Sequence, residues 1–291
     1  MKTTEIKHTH STRDFQTRVK KLALIGCGKM GEGLLSGMLS SQLIPVGRVE
    51  TTVAEAERER VDFLVRQYGV KAHTDNVKAV KGADLVLIVL KPQQVKGVLR
   101  EVKKVLRKDA VIISVAASVT IALIERELGR PARVVRAMPN TPCLIRQGMT
   151  ALAGSPHATA DDVALARQIF TAMGRTVVVE EKHMDAITGL SASGPAYVYL
   201  MIESLAEGGV KLGLPRELST ELSAQTLLGA SSMVLQTGEH PAKLKDIVTT
   251  PAGCTIDGLL ELEEGGLRVT LIKAVVRAAH RAKQLVEGQN S

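Results

Sequence analysis

The segment VTTPAGCTIDGLLELE, residues 248–263, places small hydroxyl residues and glycine directly ahead of an apolar helical pattern. It contains Thr250, Gly253, Cys254 and Thr255, but no histidine and no charged side chain before Asp257. The start of a helix leaves backbone N–H groups without partners, and a threonine hydroxyl can donate or accept a hydrogen bond. The segment is therefore suited to hold a small anion rather than to supply a strong acid or base. The alternative for Thr255 is a plain helix N-cap, a position that serine and threonine favour.

A second candidate site is the glycine loop in KKLALIGCGKMGEGLLSGMLSS, which begins at residue 20. Gly26, Gly28 and Gly31 form a G-x-G-x-x-G motif between an apolar strand pattern and an amphipathic helix pattern. In this context the first glycine allows a tight turn, and the second lets the backbone approach a pyrophosphate at the helix N-terminus, where Lys29 and Met30 lie. A glycine turn with only a structural role is the alternative.

The end of the predicted second strand, TTVAEAERER, should contact the adenosine ribose of a dinucleotide. Glu55 would suit the free 2′-hydroxyl of NAD, whereas Arg58 or Arg60 would suit the 2′-phosphate of NADP. Solvated helix charges are the alternative for all three residues. The sequence therefore leaves the choice between NADH and NADPH open.

The elements that must position these residues fall into two regions. Buried apolar runs alternate with helical patterns over residues 19–181, which predicts a Rossmann-type α/β domain with a mostly parallel, doubly wound sheet. From residue 182 to 291 only helical spacing recurs, which predicts an all-α domain. Residues 1–18 are polar and are predicted to be a flexible extension without a secretory signal.

Composition narrows the classes of function. The chain has 291 residues, a net charge of +8, no tryptophan and six other aromatic residues (three phenylalanines and three tyrosines), so stacking on nucleic-acid bases is not expected. An anionic cofactor and substrate would explain the charge, since the basic residues form no long run. Three widely separated cysteines support neither a zinc site nor a disulfide framework, and they indicate a reducing, cytoplasmic compartment. The longest apolar run, ADLVLIVL, is too short to span a membrane.

Three further stretches, LKPQQ (90–94), MPNTP (138–142) and LSASGPAYVY (190–199), join the glycine loop and the 248–263 segment. In order and spacing these five motifs resemble the pyrroline-5-carboxylate reductase family, over roughly residues 19–288. The resemblance implies NADPH- or NADH-dependent reduction of 1-pyrroline-5-carboxylate to L-proline, the last step of proline biosynthesis. It also implies a helical domain that forms a homodimer, with dimers often assembling into decamers. Ala192 and Ala252 stand where the family usually has glycine.

The reaction explains why residues 248–256 contain no acid or base. A protonated cyclic imine is already a strong electrophile, so hydride transfer needs mainly proximity and alignment. Backbone N–H groups at Gly253, Cys254 and Thr255 would bind the substrate carboxylate, with Val248 and Thr250 nearby. By resemblance, the Thr255 hydroxyl contacts the ring nitrogen and is the catalytic group.

Other assignments rest on the resemblance alone. It implies cofactor contacts from Lys91, Pro92 and Gln93 at the end of a predicted strand, from Pro139 and Asn140 after another, and from Asn76 in HTDNVKAV. A helix cap is the alternative for Asn76, and a rigid turn for Pro139 and Asn140. Cys27 and Cys254 have no histidine tied to them in the sequence and are expected to be small buried residues.

Two other functions remain open. One is a related two-domain reductase that acts on another cyclic imine or a β-hydroxy acid, for which Lys182 would be the catalytic lysine. The other is a non-catalytic dinucleotide-binding sensor, which Ala192 and Ala252 would favour. The long apolar helices, among them VTLIKAVVRAAH, indicate a dimer interface, with a helix wholly buried in one subunit as the alternative.

Overall fold

The computed structural model describes residues 12–290 and divides the chain into two compact units. The first unit runs to Ala192 and also takes in the chain from Ala278 onward, and the second comprises Ser193–Arg277. The division falls later than the predicted boundary at residue 181, because Met184 is buried in a cluster with Met138 and Ala151 of the sheet. The C-terminal helix, Leu267–Asn290, contributes to both units, since the second unit ends at Arg277.

The first unit is built on an eight-stranded sheet with the order β3-β2-β1-β4-β5-β6-β7-β8. All neighbouring strands are parallel except β6 and β7, which are antiparallel. The strands are β1 (Lys21–Ile25), β2 (Glu50–Ala54), β3 (Lys71–His73), β4 (Leu85–Ile88), β5 (Val111–Ser114), β6 (Arg133–Met138), β7 (Gly148–Gly154) and β8 (Gly174–Val178). The mostly parallel sheet confirms the predicted fold class.

Helices cover both faces of this sheet, because alternate side chains of a strand point to opposite faces. In β1, Leu22 and Leu24 join one apolar cluster, and Ala23 and Ile25 join another. The helices of the first unit are α1 (Thr12–Arg18), α2 (Lys29–Ser40), α3 (Arg58–Tyr68), α4 (Asn76–Val80), α5 (Pro92–Val102), α6 (Ile121–Leu128), α7 (Ala160–Thr171) and α8 (Met184–Ile187). The sheet is therefore doubly wound, as predicted.

The predicted extension over residues 1–18 is wrong at its C-terminal end. Residues 12–18 form α1, and Phe15 is fully buried in the core. A single aromatic side chain in a polar stretch gave no periodic signal, yet burying it contributes about 2–3 kcal/mol. The remainder of the extension lies outside the described residues.

A buried ion pair ties α7 to β6. The Asp162 side chain is fully buried and accepts hydrogen bonds from Arg133, with a distance of 2.8 Å between Nε and Oδ2, and from Arg18 at 3.0 Å. Asp162 also accepts a hydrogen bond from the backbone N–H of Thr159, the N-cap of α7. Burial raises the pKa of Asp162, but the hydrogen bond and charge of Arg133 outweigh burial, and the pKa lies below its usual value.

The second unit is entirely helical, and the described residues after β8 contain no strand, as predicted. Its helices are α9 (Gly194–Lys211), α10 (Arg216–Thr237), α11 (Pro241–Val248), α12 (Cys254–Glu264) and the first part of α13 (Leu267–Asn290). The helices α9 and α10 pack closely, because a Cβ added at Gly209 would lie 2.7 Å from Ser219 Oγ.

One face of α13 is apolar and exposed. Val269, Ile272 and Val276 recur at helical spacing and are 52%, 58% and 46% exposed. Leu260 on α12 is 55% exposed. A helix wholly buried within one subunit is therefore excluded for this part of α13, and the apolar faces are free for another surface.

Candidate functional site

The glycine loop connects β1 to α2, and its first glycine is required by the backbone. Gly26 is buried with φ +85°, a left-handed conformation that L side chains rarely adopt. A Cβ at this position would lie 2.4 Å from the carbonyl oxygen of Val89, in the segment after β4. Gly26 therefore allows the turn, as predicted, and it also allows the close approach of the segment after β4.

The other two glycines have different surroundings. Gly28 is the exposed N-cap residue of α2, and a Cβ there would meet no protein atom within 4 Å. Gly31 is buried, and a Cβ there would lie 2.3 Å from the carbonyl oxygen of Gly26. Lys29 is exposed and Met30 half-buried in the first turn of α2. The open space at Gly28, in front of free helix N–H groups, fits a dinucleotide pyrophosphate.

The position in the sheet supports the same interpretation. β1 lies between β2 and β4, so the strand order reverses there, and ligands of open α/β sheets bind outside the strand ends at such a point. The chain after β4 contains Lys91, the N-cap of α5, and Pro92, its first residue. Lys91 and Gln93 are exposed. The structure thus brings these three predicted residues to the same sheet edge as the glycine loop.

Asn76 differs from this group. Its Nδ2 donates to Glu101 Oε2 at 2.8 Å, and the N-cap of α4 is Asp75, so Asn76 is not the helix cap. Glu101 lies in the last turn of α5, whereas Lys91 lies before the first. The Asn76 amide is therefore held at the opposite end of α5 from residues 91–93, and its cofactor role stays a prediction.

Pro139 and Asn140 follow β6 at the carboxyl end of the sheet. Pro139 is buried. Asn140 accepts a hydrogen bond from the N–H of Met149 at 2.9 Å and donates to the carbonyl of Ser191 at 3.3 Å. Its side chain therefore ties the strand end to β7 and to the segment before α9, which keeps the turn rigid.

The end of β2 carries a carboxylate in direct contact with the glycine loop. Glu55 accepts a hydrogen bond from the backbone N–H of Cys27 at 2.7 Å and from that of Ala56 at 2.8 Å. Glu55 is therefore not a freely solvated helix charge.

Cys27 is a buried thiol, as predicted. Burial, as the largest effect, raises the pKa of its thiol to about 12.

Arg60 also contacts the glycine loop. Its Nη2 donates to the Cys27 carbonyl at 3.1 Å and to Glu32, which also accepts from the Tyr68 hydroxyl at 2.7 Å. Burial raises the pKa of Glu32, but the hydrogen bonds from Tyr68 and Arg60 outweigh it and lower the pKa below its usual value. Burial and the bond to Glu32 raise the pKa of Tyr68 to about 12.

The substrate candidates lie in the second unit. Helix α11 ends at Val248, and α12 begins at Cys254 with Gly253 as its N-cap. A Cβ at Gly253 would lie 2.5 Å from Thr250 Oγ1 and 3.2 Å from the Thr250 carbonyl oxygen, so any side chain there would require the Thr250 hydroxyl to move. Thr255 is the second residue of α12 and half-buried, which excludes the N-cap alternative.

Two further findings in this segment depart from expectation. Cys254, the first residue of α12, is exposed, so its predicted burial is wrong. Ala252 has φ +57°, the left-handed conformation that glycine would adopt freely. The segment therefore keeps a glycine-like backbone with an alanine.

Arg136 is a buried charged residue that the sequence motifs do not single out. Arg136 on β6 is 2% exposed, and its Nη1 donates to Glu181 at 3.2 Å, while Nε and Nη2 have no partner among the described residues. Glu181 also accepts from the N–H of Ile121 at 2.8 Å. The signal was present, because Arg136 interrupts the β-branched run ARVVRAM at an inward position.

Neither a metal centre nor a membrane span is found among residues 12–290. No group of three histidine, cysteine, aspartate or glutamate side chains is placed there to hold a metal ion. No helix in the same range has the length and apolar character needed to cross a membrane.

Comparison with known families matches both regions of the chain. Residues 181–285 match the family model for pyrroline-5-carboxylate reductase dimerisation. Residues 21–118 match the model for coenzyme F420-dependent NADP oxidoreductases.

Individual proteins are similar along nearly the whole chain. The pyrroline-5-carboxylate reductase of Glycine max is 45% identical over 91% of this chain and 95% of its own length. That of Escherichia coli is 36% identical over 91% and 98%. The solved structure of the Coxiella burnetii reductase superposes with a TM-score of 0.86 at 37% identity, covering 92% of this chain and 98% of the other. The Plasmodium falciparum enzyme with NADP bound gives 0.81 at 31% identity, covering 91% and 98%.

Proposed function

The chain belongs to the pyrroline-5-carboxylate reductase family, and we propose that it reduces 1-pyrroline-5-carboxylate to L-proline by the residues described above. It is an oxidoreductase that uses NADPH or NADH. The observation that carries the proposal is the start of α12, where Gly253 caps the helix, Thr250 closes against it and Thr255 follows in the first turn.

The dinucleotide-binding part of the proposal rests on the first unit. Gly26, Gly28 and Gly31 shape the loop, and the N–H groups of Lys29 and Met30 at the start of α2 bind the pyrophosphate. Lys91, Pro92, Gln93, Pro139 and Asn140 lie at the strand ends along the same edge. Asn76 belongs to the proposed cofactor set by family resemblance alone, since its amide is bound to Glu101. When bound, the dihydronicotinamide supplies the hydride.

The substrate-binding part rests on the second unit. The N–H groups of Cys254 and Thr255 bind the carboxylate of the imine, since the helix N-terminus favours a negative charge. The N–H of Gly253 donates to the carbonyl of Thr250 at 3.1 Å, so Gly253 contributes by its small size and not by a free donor. Thr250 packs against Gly253 and, with Val248 at the end of α11, sets the shape of the helix start. The Thr255 hydroxyl contacts the ring nitrogen, orients the ring and relays a proton.

The assembly follows from the exposed apolar faces of α12 and α13. We infer that a second copy of the chain covers Leu260, Val269, Ile272 and Val276, forming a homodimer. Assembly of these dimers into a decamer is part of the same proposal. A cytoplasmic location is proposed as well, since Cys27, Cys143 and Cys254 are free thiols.

The rival β-hydroxy-acid activity is disfavoured by Lys182. Its ammonium lies 2.6 Å from Glu180 and its side chain is 64% exposed, a surface ion pair rather than a positioned catalytic lysine. The sensor alternative has one observation in its favour, the strained Ala252 beside the proposed substrate site.

The test measures oxidation of NADH and NADPH by purified protein with the five-membered imine and its six-membered analogue. We expect rapid oxidation with the five-membered imine. Thr255→Val removes the hydroxyl at constant shape and should lower kcat about 10- to 100-fold. Thr255→Ser keeps the hydroxyl and is the matched control, with activity near that of the wild type.

Each outcome has a distinct meaning. Dinucleotide affinity should stay within about twofold in both variants, because a hydroxyl on the imine nitrogen does not hold the cofactor. A collapse of that affinity in Thr255→Val would place Thr255 at the cofactor instead. No oxidation with either imine, in protein that binds the dinucleotide, would favour the sensor.

A further inference from the structure

We propose that Glu55 makes this enzyme select NADH over NADPH, by binding the adenosine ribose hydroxyls and repelling a 2′-phosphate. The inference rests on the proposed dinucleotide site, and it adds the choice of cofactor. It begins from the position of Glu55, which directly follows β2 at the carboxyl edge of the sheet, beside the glycine loop.

Glu55 is held in place rather than free to turn away. Each carboxylate oxygen accepts one backbone N–H, Oε2 from Cys27 at 2.7 Å and Oε1 from Ala56 at 2.8 Å. The backbone N–H of Glu55 itself donates to the carbonyl of His73 on β3 at 3.0 Å. Each carboxylate oxygen can still accept a second hydrogen bond, so the group can bind two ribose hydroxyls.

The arginine nearest the loop is already occupied. Arg60 donates through Nε and Nη2 to the Cys27 carbonyl at 3.2 and 3.1 Å, and its charge is paired with Glu32. Its guanidinium also lies 4.8 Å from the ring centre of Phe63. Arg60 therefore supports the loop through Nε and Nη2, and its charge is already balanced by Glu32.

Arg58 is the remaining candidate for phosphate binding at this position. It is the first residue of α3, its side chain is 77% exposed, and its Nε lies 3.3 Å from Asp62 Oδ1, one turn further along. An exposed arginine side chain loses conformational entropy when it holds a phosphate, whereas the Glu55 carboxylate is already fixed by two backbone N–H groups. The fixed charge nearest the ribose is therefore negative.

The consequence for affinity follows from charge and distance. A 2′-phosphate carries about −1.5 to −2 charges at neutral pH and would lie next to a fixed carboxylate. Repulsion at that range in a partly solvated site corresponds to a preference of about 10- to 100-fold. NADH should therefore bind the wild-type protein about 10- to 100-fold more tightly than NADPH.

The experiment titrates NADH and NADPH separately into the full chain and follows the fluorescence of the bound nucleotide. Glu55→Gln keeps an acceptor for the Cys27 N–H but removes the charge, and NADPH should then bind at least about 10-fold more tightly. Glu57→Gln is the matched control, because Glu57 is exposed, two residues away, and makes no side-chain cap to α3. Its ratio of the two affinities should equal that of the wild type.

Three results would overturn the inference. Wild-type protein that binds NADPH as tightly as NADH would contradict it, and so would an unchanged ratio in Glu55→Gln. A loss of NADPH binding alone in Arg58→Gln would assign the phosphate to Arg58. If Glu55→Gln does not fold, Glu55→Ser and the wild-type ratio decide the question.

Failure of the inference and failure of the proposed function are distinguishable. Tight NADPH binding with imine reduction leaves the enzyme activity intact and removes only the role of Glu55. Binding of neither nucleotide would remove the dinucleotide site itself.

Discussion

The glycine loop offers the sharpest test, because two of its glycines should fail in different ways. Gly26→Ala places a Cβ at φ +85°, 2.4 Å from the carbonyl oxygen of Val89 and 2.7 Å from the Leu90 side chain. Gly28→Val places a side chain at an exposed N-cap with φ −67°, where no protein atom lies within 4 Å. The first change should damage the fold, and the second should damage only dinucleotide binding.

The magnitudes follow from these surroundings. At Gly26 the left-handed backbone costs an alanine roughly 1–2 kcal/mol, and overpacking adds roughly 1–3 kcal/mol. Reduced chain entropy in the unfolded state returns roughly 0.4–1 kcal/mol, which leaves a net loss of about 2–4 kcal/mol. For a domain of this size the Tm should fall by roughly 4–16 °C. At Gly28 a poorer N-cap costs under about 1 kcal/mol.

The assay combines thermal unfolding with dinucleotide titration. Gly28→Val should unfold within about 3 °C of the wild type and bind NADH at least about 10-fold more weakly. Gly97→Val is the control, because Gly97 is exposed in α5 and a Cβ there also meets no atom within 4 Å. The reasoning is refuted if Gly28→Val binds NADH normally, or if it loses as much Tm as Gly26→Ala.

Three further predictions concern other parts of the chain. Ala252→Gly should raise the free energy of unfolding, measured by urea denaturation, by up to about 1 kcal/mol, because removing the strain at φ +57° outweighs the added entropy of the unfolded chain. Ala192 has a negative φ, so Ala192→Gly should lower the free energy of unfolding. Asp162→Asn should lose about 3 kcal/mol at pH 7 by leaving arginine charges unpaired. Because the native pKa of Asp162 is lowered, this difference should persist above about pH 4 and shrink as pH falls further, and a difference independent of pH would contradict the ion-pair assignment. Alkylation of the folded protein should modify Cys254 and spare Cys27 and Cys143, because burial raises the pKa of these two thiols. Peptide mass spectrometry identifies the modified cysteines, and modification of Cys27 or Cys143 ahead of Cys254 would contradict the burial described here.

The sequence predicted the elements with regular patterns and missed the contacts that depend on the tertiary fold. Alternating apolar runs and the G-x-G-x-x-G spacing were sufficient for the sheet, α2 and the loop, because these signals are local. The burial of Phe15 was missed, since a single contact leaves no periodicity. The antiparallel pairing of β6 with β7 depends on chain direction, which strand patterns do not encode.

The candidate site shows the same limit at the level of charges. Glu55, Arg58 and Arg60 could not be ranked from the sequence, because five of the six residues from 55 to 60 are charged. The structure separates them, because Glu55 accepts the Cys27 N–H, Arg60 donates to the Cys27 carbonyl, and Arg58 faces solvent. No sequence pattern gives these directions, since they depend on how β2 and α3 pack beside the loop.

The contacts of Cys27 also explain why the pyrophosphate must be bound further along the loop. Glu55 already occupies the N–H of Cys27, and Arg60 occupies its carbonyl, so this residue is fully used in fixing the loop. The next backbone donors are those at the start of α2, after the open position at Gly28, where helix geometry leaves N–H groups without intrahelical partners. A carboxylate therefore stabilises the loop without competing for the groups that bind phosphate. The same carboxylate places negative charge at the ribose, so one side chain both shapes the loop and sets the choice of cofactor.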